Sequence, residues 1–224
     1  GEVQMITLVY GQPKTGKTTF AATVPGVRII DLEGGTRAVQ AETTQVDTWE
    51  ALAKEVQSIV AKPPAAVALD SITVAHELAL NFVSGRKRGD LLTVAKPVSL
   101  PQYGQANELI KSLILTLRGL DIPVVLTGQA KVTYVDEADP EDADVAQTKE
   151  VTLALPGQAR QFALMYADVI GYTESVKRDS NTGYRMWLKP TQGIVAGCRA
   201  DIAARKPWLG SPTWERLERY LTHD

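Results

Sequence analysis

A short stretch near the start of the chain, residues 11–18, constrains the fold more than any other part of the sequence. It follows the pattern G-x-x-x-x-G-K-[ST], and a short apolar run precedes it. In this pattern consecutive backbone N–H groups wrap around phosphate oxygens, and glycines stand where a side chain would collide with them. The helix that follows directs the positive end of its dipole at the anion. The chain is therefore predicted to pass from a strand, through a phosphate-binding loop, into a helix.

Different residues of this loop are expected to contact different parts of a bound nucleotide. Lys17 supplies a positive charge to the outer phosphates, and the hydroxyl of Thr18 is suited to ligate Mg²⁺. The predicted nucleotide-binding residues are Gly11, Gln12, Pro13, Lys14, Thr15, Gly16, Lys17, Thr18 and Thr19. The alternative, a glycine turn that carries a solvated lysine, does not explain why a strand and a helix flank the loop.

Apolar runs and helical periodicities alternate along the chain, which is typical of a parallel sheet covered by helices. The predicted strands are Met5–Tyr10, Val27–Leu32, Ala65–Leu69 and Val124–Thr127, and the predicted helices are Thr18–Val24, Thr48 to about Val60, Ile72–Val83 and Tyr103–Leu120. Later segments predict a hairpin of Val132–Val135 with Val151–Leu155, a short helix at Gly157–Met165, strands Val169–Glu174 and Tyr184–Leu188 around a turn at Asn181–Gly183, and a final helix that starts at Ser211-Pro212. We expect an α/β fold: a mostly parallel central sheet flanked by helices, with a C-terminal antiparallel β extension, in one domain over residues 1–224.

Charge and cysteine content exclude several classes of protein. The formal net charge is -2, which argues against a protein that coats nucleic acid by bulk positive charge. The single cysteine, Cys198, excludes an intrachain disulfide and a four-cysteine zinc site, and it fits a cytoplasmic location. No apolar run approaches the roughly 20 residues that a membrane span needs, so no membrane association is expected.

Polar side chains at the ends of three predicted strands supply the rest of a hydrolytic site. Asp70 closes the strand Ala65–Leu69 and is predicted to hold Mg²⁺ together with Thr18; its alternative role is a helix N-cap. Glu33 follows Val27–Leu32 and is placed to activate water, unless it is a solvated acid. Gln129 follows the fourth strand and is placed to sense the terminal phosphate, unless it is a capping amide.

These pieces together resemble the RecA-like recombinase and helicase core. The phosphate loop GQPKTGKTTF, the strand end IIDLEGG, the strand AVALDS and the strand VVLTGQ occur in that family's order. The segments LPQYGQANELIKSLI and LPGQARQFALMYADVIGY are similar to those of short phage-type RecA-like ATPases used in recombination and single-strand annealing. The resemblance implies that the strand Val124–Thr127 lies between the phosphate-loop strand and the Asp70 strand. It also implies that Glu33 is the catalytic carboxylate and Gln129 the switch between ATP and DNA.

In this family a basic finger from the neighbouring subunit completes the ATP site, so the resemblance implies a homo-oligomer, either a ring or a filament. The candidates are Lys189 in WLKP and Arg199 in AGCRAD. The helicase-type pattern has a lysine near Arg199 as well, and a glycine replaces it here. For both candidates the alternative is an ordinary surface charge.

Single-stranded DNA is the partner that the resemblance implies, and one short basic loop fits it. Arg86, Lys87 and Arg88 follow the predicted helix Ile72–Val83, where a family loop faces DNA; a solvated loop is the alternative. The family's second DNA loop corresponds to a segment of opposite charge. Residues 136–150, an acidic insertion, carry seven acidic residues and one basic residue, while the rest of the chain has net charge +4.

The predicted function is Mg²⁺-dependent ATP binding and hydrolysis on single-stranded DNA, in phage-type recombination or annealing. A single-strand-binding or annealing protein is a candidate partner. The expected location is the cytoplasm, which is that of the host cell if the gene belongs to a phage. Three alternatives remain. The chain is an ATP-switched scaffold or loader of a partner protein with little turnover, a helicase-type DNA motor, or a small-molecule kinase. The acidic segment after Gln129 disfavours the kinase, because such kinases carry an arginine-rich lid.

Overall fold

The computed structural model describes residues 5–86, 97–136, 147–178, 181–191 and 193–222. Its strands are β1 Ile6–Gly11, β2 Val27–Asp31, β3 Glu42–Gln45, β4 Ala66–Asp70, β5 Val124–Asp136, β6 Gln147–Leu153, β7 Val169–Arg178, β8 Asn181–Trp187, β9 Gly197–Cys198 and β10 Trp208–Gly210. Its helices are α1 Lys17–Ala21, α2 Trp49–Ala61, α3 Ile72–Ser84, α4 Leu100–Arg118, α5 Gly157–Tyr166 and α6 Trp214–Thr222. A 3-10 turn at Thr36–Ala38 lies between β2 and β3.

The sheet runs in the order β10-β8-β7-β1-β5-β4-β2-β3, and β7, β1, β5, β4, β2 and β3 are parallel to their neighbours in that order. The strands β8 and β10 add to it in antiparallel fashion, β9 pairs antiparallel with β7, and β6 pairs antiparallel with the extended end of β5. This confirms the α/β fold class. It also confirms the strand order expected from the resemblance, because β5 lies between β1 and β4.

The register of the central strands brings their carboxyl ends together. Gly11 is opposite Gln129 across β1 and β5, and Asp31 is opposite Asp70 across β2 and β4. Because carboxyl ends of parallel strands meet at one edge of the sheet, the phosphate loop and the predicted polar residues share that edge.

Each face of the sheet carries its own apolar core, as the near-continuous burial of parallel strands requires. On one face, Leu8 and Tyr10 of β1 pack with α2, α3, α4 and α5. On the other, Val9 packs with α1 and α6, where the rings of Phe20 and Trp214 lie 6.4 Å apart.

Helix starts follow the capping chemistry of the sequence. Thr48 caps α2 by accepting a hydrogen bond from the backbone N–H of Ala51 at 3.2 Å, as predicted. Ser71, not Asp70, caps α3 by accepting from Val74 N–H at 3.4 Å. The capping alternative for Asp70 is therefore wrong.

Three predictions about element bounds are corrected. The helix after the phosphate loop ends at Ala21, not Val24, and β5 continues past Thr127 to Asp136 to pair with β6. The predicted turn at Asn181–Gly183 is wrong, since these residues begin β8 and pair with Arg178, Lys177 and Val176 of β7. Pairing with a long neighbouring strand outweighs the turn preference of Asn and Gly here.

Among the described residues, no helix combines the length and the apolar character that crossing a membrane would demand.

Candidate functional site

The phosphate loop joins β1 to α1 and holds Lys17 inward. Lys17 is buried, and its Nζ donates to the carbonyl oxygens of Gly11 at 3.1 Å and Gln12 at 2.8 Å. Gly16 has a φ of 87°, and Lys14 also lies in the left-handed region with a φ of 63°. Side chains rarely adopt that conformation, so the loop needs glycine at position 16 and stores strain at position 14.

Two neighbours of the loop come from strands far away in sequence. A Cβ on Gly11 would collide with the side chain and backbone of Thr173 on β7, and Thr173 Oγ1 lies 2.9 Å from Thr15 Oγ1. The ring of Tyr184 on β8 covers Gly16, where an added Cβ would lie 3.0 Å from the ring. Strands β7 and β8 thus form one wall of the loop.

Thr18 and Asp70 meet as the sequence predicts. Thr18 Oγ1 donates to Asp70 Oδ2 at 2.7 Å, and Thr127 Oγ1 donates to Asp70 Oδ1. Asp70 is only 1% exposed. Burial raises its pKa, the hydrogen bonds from Thr127 and Thr18 lower it, and the charges of Glu33 and Asp31 raise it further.

This donor set fits Mg²⁺, which prefers hard oxygen ligands and usually takes one or two carboxylates together with substrate phosphates and water. The described residues contain no cluster of three acidic, histidine or cysteine side chains that would hold a metal by themselves. A buried carboxylate with a raised pKa is stabilised by a nearby cation, so Asp70 and Thr18 suit an ion that arrives with phosphate.

Asp31 shapes the loop that carries Glu33. Its Oδ1 accepts from the backbone N–H groups of Glu33 at 3.0 Å and Gly34 at 2.7 Å, and its Oδ2 accepts from the Thr36 hydroxyl at 2.6 Å. Burial raises the pKa of Asp31, but the hydrogen bonds outweigh it, and the pKa lies below its usual range. Asp31 is therefore a structural carboxylate that fixes where Glu33 stands.

Glu33 and Gln129 lie against each other at the edge of the sheet. Gln129 Nε2 donates to both carboxylate oxygens of Glu33 at 3.0 Å, and Ser71 Oγ donates to Glu33 Oε1. The backbone N–H of Gln129 donates to Thr73 Oγ1 at 3.0 Å. Gln129 Oε1 is buried and has no hydrogen-bond partner in the part of the chain that the structure describes.

Most of the charged side chains at this edge are acidic. Burial lowers the pKa of Lys17, while the charges of Glu33 and Asp70 act in the opposite direction. Burial and the charge of Glu33 raise the pKa of Glu77 on α3. Several acidic side chains around one buried lysine, with shifted pKa values, are typical of functional sites.

The two finger candidates bind partners outside the phosphate loop of their own chain. Arg199 pairs with Asp168 at 3.3 Å, and Asp168 accepts from the backbone N–H of Ile6, at the amino end of β1. The phosphate loop leaves the opposite end of that strand. Lys189 Nζ donates to the carbonyl oxygens of Ala203 at 2.8 Å and of Arg205.

The DNA-binding candidates are only partly described. Arg86 follows the left-handed C-cap Gly85 of α3, and its backbone N–H donates to Asn81 O at 2.9 Å. Lys87 and Arg88 lie outside the described residues, and so does most of the acidic insertion, residues 137–146.

Sequence reasoning missed four side chains of this edge. The sequence could have indicated Thr127, because this residue places a hydroxyl at the end of an otherwise apolar run. Ser71 had a weaker signal, as the polar residue directly after Asp70. Thr173 and Tyr184 had none, because only the pairing of β7 with β1 and β8 brings them to the loop.

The chain is similar to one protein family and to solved structures. None of the curated proteins matches the chain. A KaiC-like protein from the hyperthermophilic archaeon Pyrococcus horikoshii is 12% identical, with a TM-score of 0.47, over 82% of this chain and 77% of that one. The RadB recombinase is 17% identical, with a TM-score of 0.44, over 82% of this chain and 80% of that one. The model of the AAA domain family matches residues 4–200, and the chain therefore belongs to the AAA domain family.

Proposed function

We propose that the protein is a Mg²⁺-dependent ATPase whose reaction takes place at the carboxyl edge of β1, β2, β4 and β5. The observation that carries the proposal is the contact of Glu33 with Gln129 beside the Thr18–Asp70 pair. A phosphate loop alone binds nucleotides, but a carboxylate and an amide at its open side supply what hydrolysis needs. Family membership supports nucleotide binding.

Each side chain has a defined task in this proposal. Lys17 and the loop N–H groups bind the β- and γ-phosphates, so Lys17 exchanges its carbonyl partners for phosphate oxygens. Thr18 and Asp70 would hold Mg²⁺, which neutralises charge on the phosphates when it is bound.

Glu33 accepts the proton of the attacking water. The water oxygen bonds to the γ-phosphorus, the bond from that phosphorus to the bridging oxygen breaks, and ADP leaves. Gln129 Nε2 donates to Glu33 in this structure, and an oxygen of the γ-phosphate is an equivalent acceptor. Transfer of this amide to phosphate frees the carboxylate for the proton, which couples nucleotide state to the strand β5.

A rate comparison tests the ATPase proposal. Phosphate release by the wild type should require both ATP and Mg²⁺, and Lys17→Ala should lower it by at least about a hundred-fold. Lys62→Ala is the matched control, because Lys62 is an exposed lysine at the end of α2. Hydrolysis at the wild-type rate in Lys17→Ala would refute the site.

We further propose that single-stranded DNA is the substrate on which this ATPase acts, in phage-type recombination or annealing, and that it works as a homo-oligomer in the cytoplasm. The proposal rests on the motifs shared with the phage-type proteins and on the position of Arg199. Arg199 pairs with Asp168 at the end of β1 opposite the phosphate loop, so we propose that it would leave this partner to serve the site of a neighbouring chain rather than its own.

Hydrolysis with and without single-stranded DNA tests the DNA proposal. Stimulation supports it, whereas tight ATP binding with negligible turnover would favour an ATP-switched scaffold. Fast turnover only with a small acceptor would favour a kinase.

Changing Arg86, Lys87 and Arg88 together to Ala should weaken DNA binding at low salt. Measuring the particle size with and without ATP and DNA tests whether the protein forms an oligomer.

A further inference from the structure

The hydroxyl of Ser71 makes two contacts at once. Ser71 Oγ accepts from the backbone N–H of Val74, which caps α3, and donates to Glu33 Oε1. The residue is fully buried at the start of the helix, directly after Asp70. A cap needs only the acceptor lone pair, so the donated hydrogen bond is additional to capping.

Glu33 needs such an anchor because of where it stands. It is an exposed residue on a loop between β2 and the 3-10 turn, and Gly34 and Gly35 follow it. Asp31 fixes the backbone of this loop, but its contacts leave the Glu33 carboxylate free to rotate. The carboxylate is held by Ser71 and Gln129.

The first turn of α3 also holds Gln129. Thr73 Oγ1 accepts the backbone N–H of Gln129 at 3.0 Å, just where β5 leaves the central sheet to pair with β6. Partners of both Glu33 and Gln129 therefore come from the first turn of one helix.

We propose that Ser71 is a positioning residue for catalysis, which acts by fixing the orientation of the Glu33 carboxylate. The inference rests on the proposed ATPase function and deepens it. When the γ-phosphate takes the amide of Gln129, Ser71 keeps Oε1 in place and leaves Oε2 to accept the proton of water. Without Ser71 the carboxylate rotates on an exposed loop, and the productive orientation is populated less.

Steady-state kinetics of Ser71→Ala give the first test. We expect kcat to fall by about ten- to a hundred-fold, with little change in KM for ATP or in ATP binding, because misorientation of a catalytic group acts on the chemical step. Ser71→Thr keeps the hydroxyl and should restore most of kcat. Thr48→Ala is the matched control: it removes the N-cap of α2 in the same way and should leave kcat unchanged.

A double-mutant cycle separates positioning from general stability. In the Glu33→Gln background, Ser71→Ala should cause no further loss of rate, because the carboxylate that Ser71 orients is already gone. Losses that multiply would overturn the proposal. If Ser71→Ala melts below the assay temperature, Ser71→Gly replaces it, since glycine is better tolerated than alanine at an N-cap.

The outcomes also distinguish this inference from the proposed function. A wild type that binds ATP without turnover, or Glu33→Gln at the wild-type rate, overturns the assignment of Glu33 and the inference with it. A wild type that hydrolyses ATP, together with Ser71→Ala at an unchanged kcat, overturns the inference alone.

Discussion

The two ends of the strand β2 use charged side chains in opposite ways. At its amino end, Arg28 forms ion pairs with Glu55 at 2.9 Å and with Glu42 at 3.5 Å, so each carboxylate there has a cation beside it. At its carboxyl end, Asp31 and Glu33 stand beside Asp70 of β4. None of these three acids forms an ion pair within the described part of the chain; hydroxyls and amides hold them instead.

The difference indicates that the ion pairs of Arg28 stabilise the fold, whereas the acidic residues at the carboxyl end serve the proposed reaction. The Arg28 ion pairs already contain their countercharge, whereas Asp70, a buried carboxylate with a raised pKa, is stabilised further by a cation that binds beside it. Neutralising Asp70 and removing Arg28 should therefore change stability in opposite directions, and of these two changes only the one at Asp70 should change the reaction.

The largest effect is expected from Glu33→Gln. The amide cannot accept the proton of water, so phosphate release should fall by about 10²- to 10⁴-fold, the usual contribution of a general base. ATP binding should persist, because the phosphate contacts belong to the loop at residues 11–18. Rates from single-turnover experiments and affinities from equilibrium binding check this. An unchanged rate would show that another group activates water.

A moderate loss of stability is expected when Arg28 is removed from the amino end of β2. Arg28→Met keeps the apolar stem of the side chain but leaves Glu55, whose side chain is 12% exposed, without its cation. The free energy of unfolding should fall by about 1–3 kcal/mol. Urea denaturation measures the change. The rate of ATP hydrolysis per folded molecule should stay at the wild-type value, and a fall in that rate would contradict the separation of the two ends.

Asp70→Asn is expected to change the free energy of unfolding in the opposite direction, towards higher stability. Burial raises the pKa of Asp70, so the folded protein carries an unfavourable charge at neutral pH, and removing it should stabilise the nucleotide-free protein by about 0.5–2 kcal/mol. The gain should shrink as the pH falls through the folded-state pKa, because the wild-type carboxyl then becomes neutral as well. Denaturation at several pH values tests both statements, and destabilisation at neutral pH would contradict them.

The smallest effect concerns a buried histidine outside the site. His76 on α3 lies 3.1 Å from Asn107 Oδ1 on α4, and burial lowers its pKa, although this hydrogen bond raises it. The unfolded chain binds the proton more readily, so stability should decline as the pH falls below about 6.5, by no more than about 1.4 kcal/mol per pH unit. His76→Gln should remove this part of the slope, and a slope that persists would assign it to other groups.

The sequence predicted the parts of the fold that depend on local pattern. The apolar runs of β1 and β4 are visible because both faces of these strands are buried. The exposed edge strand β3, Glu42–Gln45, escaped prediction because polar residues at a sheet edge show neither alternation nor an apolar run. The order of the strands came from the resemblance to a known family, since local pattern says nothing about which strands are neighbours.

The candidate site was predicted to a similar degree. The structure brings together Lys17, Thr18, Asp70, Glu33 and Gln129, each of which was predicted from the loop motif or from the end of an apolar run. Which atoms they contact was not predictable. Ser71 reaches Glu33 across 38 positions of sequence, and Tyr184 reaches Gly16 through the pairing of β7 with β8. Such contacts are set by register and backbone geometry rather than by residue type.

Phosphate release by Asp70→Asn and Arg28→Met, measured side by side with ATP and Mg²⁺, shows whether ATP hydrolysis belongs to the carboxyl edge of the sheet. We predict that Asp70→Asn loses the reaction although it is more stable than the wild type, while Arg28→Met keeps the reaction although it is less stable. Retention of the wild-type rate by Asp70→Asn, or loss of rate in Arg28→Met among molecules that remain folded, would contradict the assignment of ATP hydrolysis to the carboxyl edge of the sheet.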